Sequence, residues 1–164
     1  MSANRVEKLV YWYLRFNGYL TVENFTIHPD YKKSPEAEAD ILAVRFPNSE
    51  EEPRGFHFER NPKLVLNDHV DFIIGEVKTG LCSINHVWEN SELKNIQYAL
   101  NWLGFLEDSE VDSVANTIYN NKTWQNEIYS VRLICFGARE NTNLDKKYPQ
   151  LLHRDMFKFV YDRL

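Results

Sequence analysis

The chain has 164 residues, 43% of them hydrophobic and 26% charged, with 10 Phe, 9 Tyr and 4 Trp, a size and composition that suit one globular domain with a well-filled core. Its formal net charge of −5 argues against a nonspecific nucleic-acid coat, which would be basic, yet it is compatible with a local set of carboxylates that holds a divalent metal. No apolar run reaches the roughly 20 residues of a membrane span, MSANRVEKLV lacks a signal-peptide pattern, and Cys82 and Cys135 stand apart without CxxC spacing, as small core residues would.

One cytoplasmic domain over 1–164, with no membrane partner, is therefore the expectation. Val6, Leu9, Val10, Tyr13 and Leu14 recur at helical spacing, predicting an amphipathic helix over 4–17 that Asn17-Gly18 stops. YLTVENFTIH, over 19–28, is rich in β-formers and predicts a strand. HPDYKKSPE reads as loop, and EADILAVRF, over 38–46, as a second strand that Pro47 ends. Residues 47–70 are polar and carry Pro53, Gly55 and Pro62, the signature of an insertion within a hairpin. DFIIGEVKTG supplies the third strand over 71–78. A helix over about 84–106 and another around 110–122 follow, then IYSVRLICF, over 128–136, whose nearly continuous apolar run suits a buried central strand. Residues 150–153 read as a short edge strand and HRDMFKFVYDRL as a closing helix. The order implies a mixed α/β domain with helices flanking one sheet.

The third strand raises the chemical question, because it ends in a carboxylate and an ammonium. Side chains alternate along a strand, so Glu76 and Lys78 point to one side and Val77 to the other. Burying such charges is costly unless they are paired or bound to a metal. Glu92-Leu93-Lys94 has the same ExK spacing, but in a helical pattern residues two apart point about 200° apart, so only Glu76 and Lys78 converge. Asp40 opens the strand expected to pair antiparallel with DFIIGEVKTG, which sets it beside Glu76. Two carboxylates with open water positions suit Mg²⁺. Glu7 falls at the flank of the first helix's apolar stripe, where a helix can lend an acid to the end of a sheet. Gln97 lies within the inner stripe of LKNIQYALNWL, and a buried amide needs partners.

Helical Glu7, strand-start Asp40, the Glu76-Val77-Lys78 triplet and the helix bearing Gln97 resemble the pattern of the PD-(D/E)xK, or restriction-endonuclease-like, nuclease superfamily. The resemblance spans roughly 4–137. It implies an αβββαβ core, a mixed sheet flanked by helices, with Asp40, Glu76 and the Val77 carbonyl as metal ligands. It further implies that Lys78 positions or activates the attacking water, and that Glu7 assists at the metal. Ala39 stands where the superfamily's named proline would be. Pro29-Asp30 is a literal PD, but YKKSP follows it rather than an apolar strand, and Asp71 lies too far along the third strand to share a metal with Glu76.

The expected function is Mg²⁺-dependent hydrolysis of DNA phosphodiester bonds by an endodeoxyribonuclease, in restriction, repair or defence, with Mn²⁺ able to substitute. A homodimer is the default for a small member cutting duplex DNA, and Lys32, Lys33, Arg54, Arg60 and Lys63 lie in loops able to supply a basic patch. The alternative is a catalytically silent nuclease-fold module that binds nucleic acid or protein. Each residue also has a plainer role: a same-strand ion pair for Glu76 and Lys78, a strand cap for Asp40, a surface acid for Glu7, a structural amide for Gln97.

Overall fold

The structure, a computed structural model, describes residues 3–27, 37–49, 60–64 and 68–163. Helix α1 (Ala3–Arg15) buries Val6, Leu9, Val10, Tyr13 and Leu14, the stripe that its spacing requires. It ends where Gly18 adopts φ 86°, a left-handed conformation that glycine enters without steric cost. The Gly18 N–H donates to the Arg15 carbonyl at 2.9 Å, and the Asn17 amide to the Tyr13 carbonyl at 2.6 Å. A Cβ at Gly18 would also meet the Ser49 carbonyl oxygen at 3.0 Å.

Strands β1 (Leu20–Ile27), β2 (Ala37–Arg45) and β3 (Val70–Val77) follow, then α2 (Asn95–Leu103), α3 (Asp108–Asn121), β4 (Thr123–Gln125), β5 (Tyr129–Gly137), β6 (Gln150–Leu152) and α4 (His153–Tyr161). The six strands form one mixed sheet in the order β1-β2-β3-β5-β4, with β6 also pairing β5. The β1–β2, β2–β3 and β4–β5 pairs are antiparallel, whereas β3–β5 and β5–β6 are parallel. A parallel neighbour demands a long crossover, and α2 and α3 provide it. Residues 71–77 of β3 and 130–137 of β5 are all buried, as central strands covered on both faces must be. On one face Phe72, Ile74, Val131 and Leu133 pack with Trp88, Ile96, Leu100, Val114 and Ile118. On the other, Ile73, Ile134 and Phe136 pack with α1 and with Met156 and Val160 of α4. The result is an α/β domain whose sheet is flanked by four helices.

The chain departs from the periodicity in two places. Instead of one helix over 84–106, two 3-10 turns, His86–Trp88 and Ser91–Leu93, precede α2. The side chains of Asn85 and Asn90 accept hydrogen bonds from the N–H groups two residues on, at 3.3 and 3.0 Å, which offers the backbone an alternative to the helix. Lys94 then takes φ 54°, breaking helical continuity before Asn95. Strand β4, too short and polar to show a period, also went unpredicted. Of the 47–70 insertion, the described part includes a 3-10 turn over Pro62–Leu64 with Leu64 buried. The expected loop over 28–36, with Pro29-Asp30, Lys32 and Lys33, lies outside the described residues, as does Arg54.

Asp71, the acid at the start of β3, has a structural role. It is fully buried, it accepts from Arg132 Nε at 3.1 Å and from Nη2, and it takes the Tyr19 hydroxyl as well. Arg132 also donates to Tyr19 at 3.0 Å and to the Lys63 carbonyl at 3.0 Å. The ion pair thus satisfies its hydrogen-bonding groups internally, the condition under which buried charge is tolerated.

Candidate active site

The β2–β3 ladder runs from Arg45↔Asp71 to Ile41↔Gly75. One step further the strands no longer exchange backbone bonds. The Val77 N–H donates instead to Asp40 Oδ2 at 2.6 Å, so the half-buried Asp40 side chain replaces the next rung of the ladder. The expected adjacency of Asp40 with the Glu76-Val77-Lys78 triplet is therefore present, across a connection of more than twenty residues.

Glu76 continues the Phe72, Ile74 row on the face covered by α2 and α3, where an apolar residue would ordinarily sit. Its side chain is only 4% exposed. Oε2 pairs with the Lys78 ammonium, and Oε1 accepts from the indole Nε1–H of Trp88 at 3.0 Å. Burial raises the pKa of Glu76 and the charge of Asp40 adds to it, against the lowering pull of Lys78 and the indole. Burial works against the Lys78 ammonium too, but the Glu76 carboxylate outweighs it and holds the amine above the ordinary lysine value. Lys78 is accordingly charged at neutral pH.

Glu7 projects from the other side of the sheet, on α1. Partial burial raises its pKa, and the negative charges of Asp40, Glu23 and Glu38 raise it further. It thus lies within electrostatic reach of Asp40. Gln97 is engaged elsewhere: its amide donates to Asp112 Oδ1 at 3.4 Å and its carbonyl accepts from the Tyr119 hydroxyl at 3.3 Å. Both bonds tie α2 to α3, and neither reaches the acids. The second ExK, Glu92-Leu93-Lys94, is on the turn before α2 with both charged side chains exposed.

Two neighbours escaped the sequence reading. Trp88 is fully buried and reaches Glu76 from the turn after β3. Cys135 stands opposite Glu76 in the parallel β3–β5 register, and its thiol donates to the Ser83 carbonyl at 3.3 Å. Neither carries a local signal, because both placements depend on how later chain packs back onto β3. Among the described residues no group of three or more His, Cys, Asp or Glu side chains is arranged to hold a metal ion. Asp40 and Glu76 are the two acids that the end of the β2–β3 ladder brings together. Their chemistry nonetheless suits a hard divalent cation, which favours carboxylate and carbonyl oxygens. Among the described residues no helix is long and apolar enough to cross a membrane. No family model, curated protein or solved structure matches the chain.

Proposed function

We propose that the chain is a divalent-metal-dependent endonuclease acting on DNA, built on a restriction-endonuclease-like αβββαβ core. The observation that carries this reading is the meeting of Asp40 with the Glu76–Lys78 pair at one end of the sheet. The succession α1, β1, β2, β3, α2 and β5, with helices on both faces of a mixed sheet, supports it. Folds host many activities, so the site bears more of the weight than the architecture.

Mg²⁺ or Mn²⁺, when bound, would polarise the scissile phosphate and lower the pKa of a coordinated water. Asp40 and Glu76 would hold it through carboxylate oxygens, with the Val77 carbonyl as a third donor. Lys78 is held protonated by Glu76, so it serves as a donor rather than a base. It can orient the attacking water and stabilise charge developing on phosphate oxygens. Glu7 keeps its proton more readily than an ordinary glutamate and is suited to exchanging one beside Asp40. Gln97 is given no part in this mechanism, since the bonds of its amide run between α2 and α3 and not to the acids.

The competing reading is a silent nuclease-fold module that binds nucleic acid or protein. It is favoured by the partners that Glu76 already has on both oxygens, as a structural ion pair would. Incubating supercoiled plasmid with wild type, Asp40→Ala or Lys78→Ala in Mg²⁺ or Mn²⁺ separates the two. Metal-dependent nicking by the wild type alone supports the enzyme. Wild type inert toward duplex, branched and single-stranded DNA would remove the enzyme and leave the module.

A further inference from the structure

We propose that Trp88 is a positioning residue for Glu76: its neutral indole N–H fixes the plane of the carboxylate and thereby sets how that acid meets a cation. The inference rests on the nuclease reading and deepens it. The final torsion of a glutamate is broad and roughly two-fold, so a single partner on one oxygen leaves the carboxylate plane free to turn. Partners on both oxygens fix it. Glu76 has Lys78 on Oε2 and Trp88 on Oε1, and the two partners differ in kind.

Lys78 sits on a flexible four-carbon stem, its side chain is 30% exposed, and its charge repels an arriving cation. Trp88 is uncharged, can only donate, and is fully buried. Its turn is also held from several sides. The Trp88 N–H donates to the Asn85 carbonyl at 2.9 Å and the Asn95 amide to the Val87 carbonyl at 2.9 Å. The Tyr148 hydroxyl donates to the side chain of neighbouring Glu89 at 2.9 Å. When a cation competes with Lys78, the indole is the partner that has no electrostatic reason to leave. A buried tryptophan would also be satisfied by any backbone carbonyl. Here it takes one oxygen of Glu76, one of the two carboxylates that the proposed chemistry needs. Groups that orient a metal-ligating side chain commonly change metal affinity by about 10–100-fold when removed.

The test uses Ca²⁺ as the probe, by titration calorimetry of the whole chain. Trp88→Phe, which removes the N–H, is expected to weaken Ca²⁺ binding about 10–100-fold, and Trp88→His, which restores a ring N–H, to recover part of the loss. In parallel, the Trp88 indole ¹H–¹⁵N resonance, assigned through W12F, W102F and W124F variants, is expected to move with Ca²⁺ at the calorimetric midpoint. It should also differ in Glu76→Gln without the ion. A folded Trp88→Phe protein with wild-type Ca²⁺ affinity overturns the proposal and leaves the nuclease reading intact. If Trp88→Phe does not fold, the resonance decides: one unmoved by Ca²⁺ and by Glu76→Gln overturns it. Wild type that binds no Ca²⁺ or Mn²⁺ removes the metal reading, and the positioning role falls with it.

Discussion

Lys78→Ala tests the central contact of the site. Removing one partner of a buried ion pair costs about 3–5 kcal/mol. Three features reduce that here: the Lys78 side chain is 30% exposed, Trp88 still donates to Oε1, and Glu76, whose pKa is already raised, can take up a proton. About 1–2 kcal/mol remains at neutral pH, comparable with leaving one buried polar group unsatisfied, and each kcal/mol lowers Tm by about 2–4 °C in a chain of this size. The sign with pH follows from the raised acid. Lys78 lowers the folded-state pKa of Glu76, so its loss raises that pKa further. A raised folded pKa disfavours the ionised carboxylate in the fold, a cost present above that pKa and absent once folded and unfolded chains both hold the proton. The destabilisation by Lys78→Ala is therefore larger at about pH 8 than at about pH 5. Thermal unfolding without divalent ions at both pH values, in wild-type and Glu76→Gln backgrounds, measures it. Cleavage, measured well below Tm, should fall about 10²–10³-fold in kcat if Lys78 stabilises developing charge. A Tm difference that is independent of pH and persists in the Glu76→Gln background would refute the ion-pair argument.

Asp40→Asn should abolish Ca²⁺ binding and cleavage with little loss of stability, because the amide oxygen still accepts the Val77 N–H; Asp40→Ala should in addition cost about 1–3 kcal/mol in a urea melt. Gln97→Ala should lower stability by about 0.5–1.5 kcal/mol through its bonds to Asp112 and Tyr119, and plasmid cleavage at a temperature where it is folded should match wild type. Arg132→Met should cost about 3–5 kcal/mol in guanidinium unfolding, since it strands the fully buried Asp71, and Asp71→Asn in the same chain should return part of it.

What local chemistry dictates was legible in the order of residues. The stripe of α1, its stop at Gly18 and the apolar run of β5 each follow from short-range spacing. So does the convergence of Glu76 and Lys78, because strand alternation needs no knowledge of the rest of the fold. The span over 84–106 misled for a local reason as well: periodicity records the apolar face, whereas the side chains of Asn85 and Asn90 compete for the backbone. Asp40 stands between the two kinds of information. Its pairing was inferred from hairpin geometry, but only the register shows that its carboxylate takes the Val77 N–H where the β2–β3 ladder ends. Gln97, Trp88 and Cys135 belong wholly to tertiary structure. The same inner-face position could have turned Gln97 toward the acids, yet the packing of α3 gave it Asp112 and Tyr119. Trp88 reaches Glu76 from the irregular chain that follows β3, and Cys135 stands beside it on a parallel strand beyond the α2–α3 crossover. Such placements have no signature in local spacing, because what selects them is the joint burial of a whole sheet face.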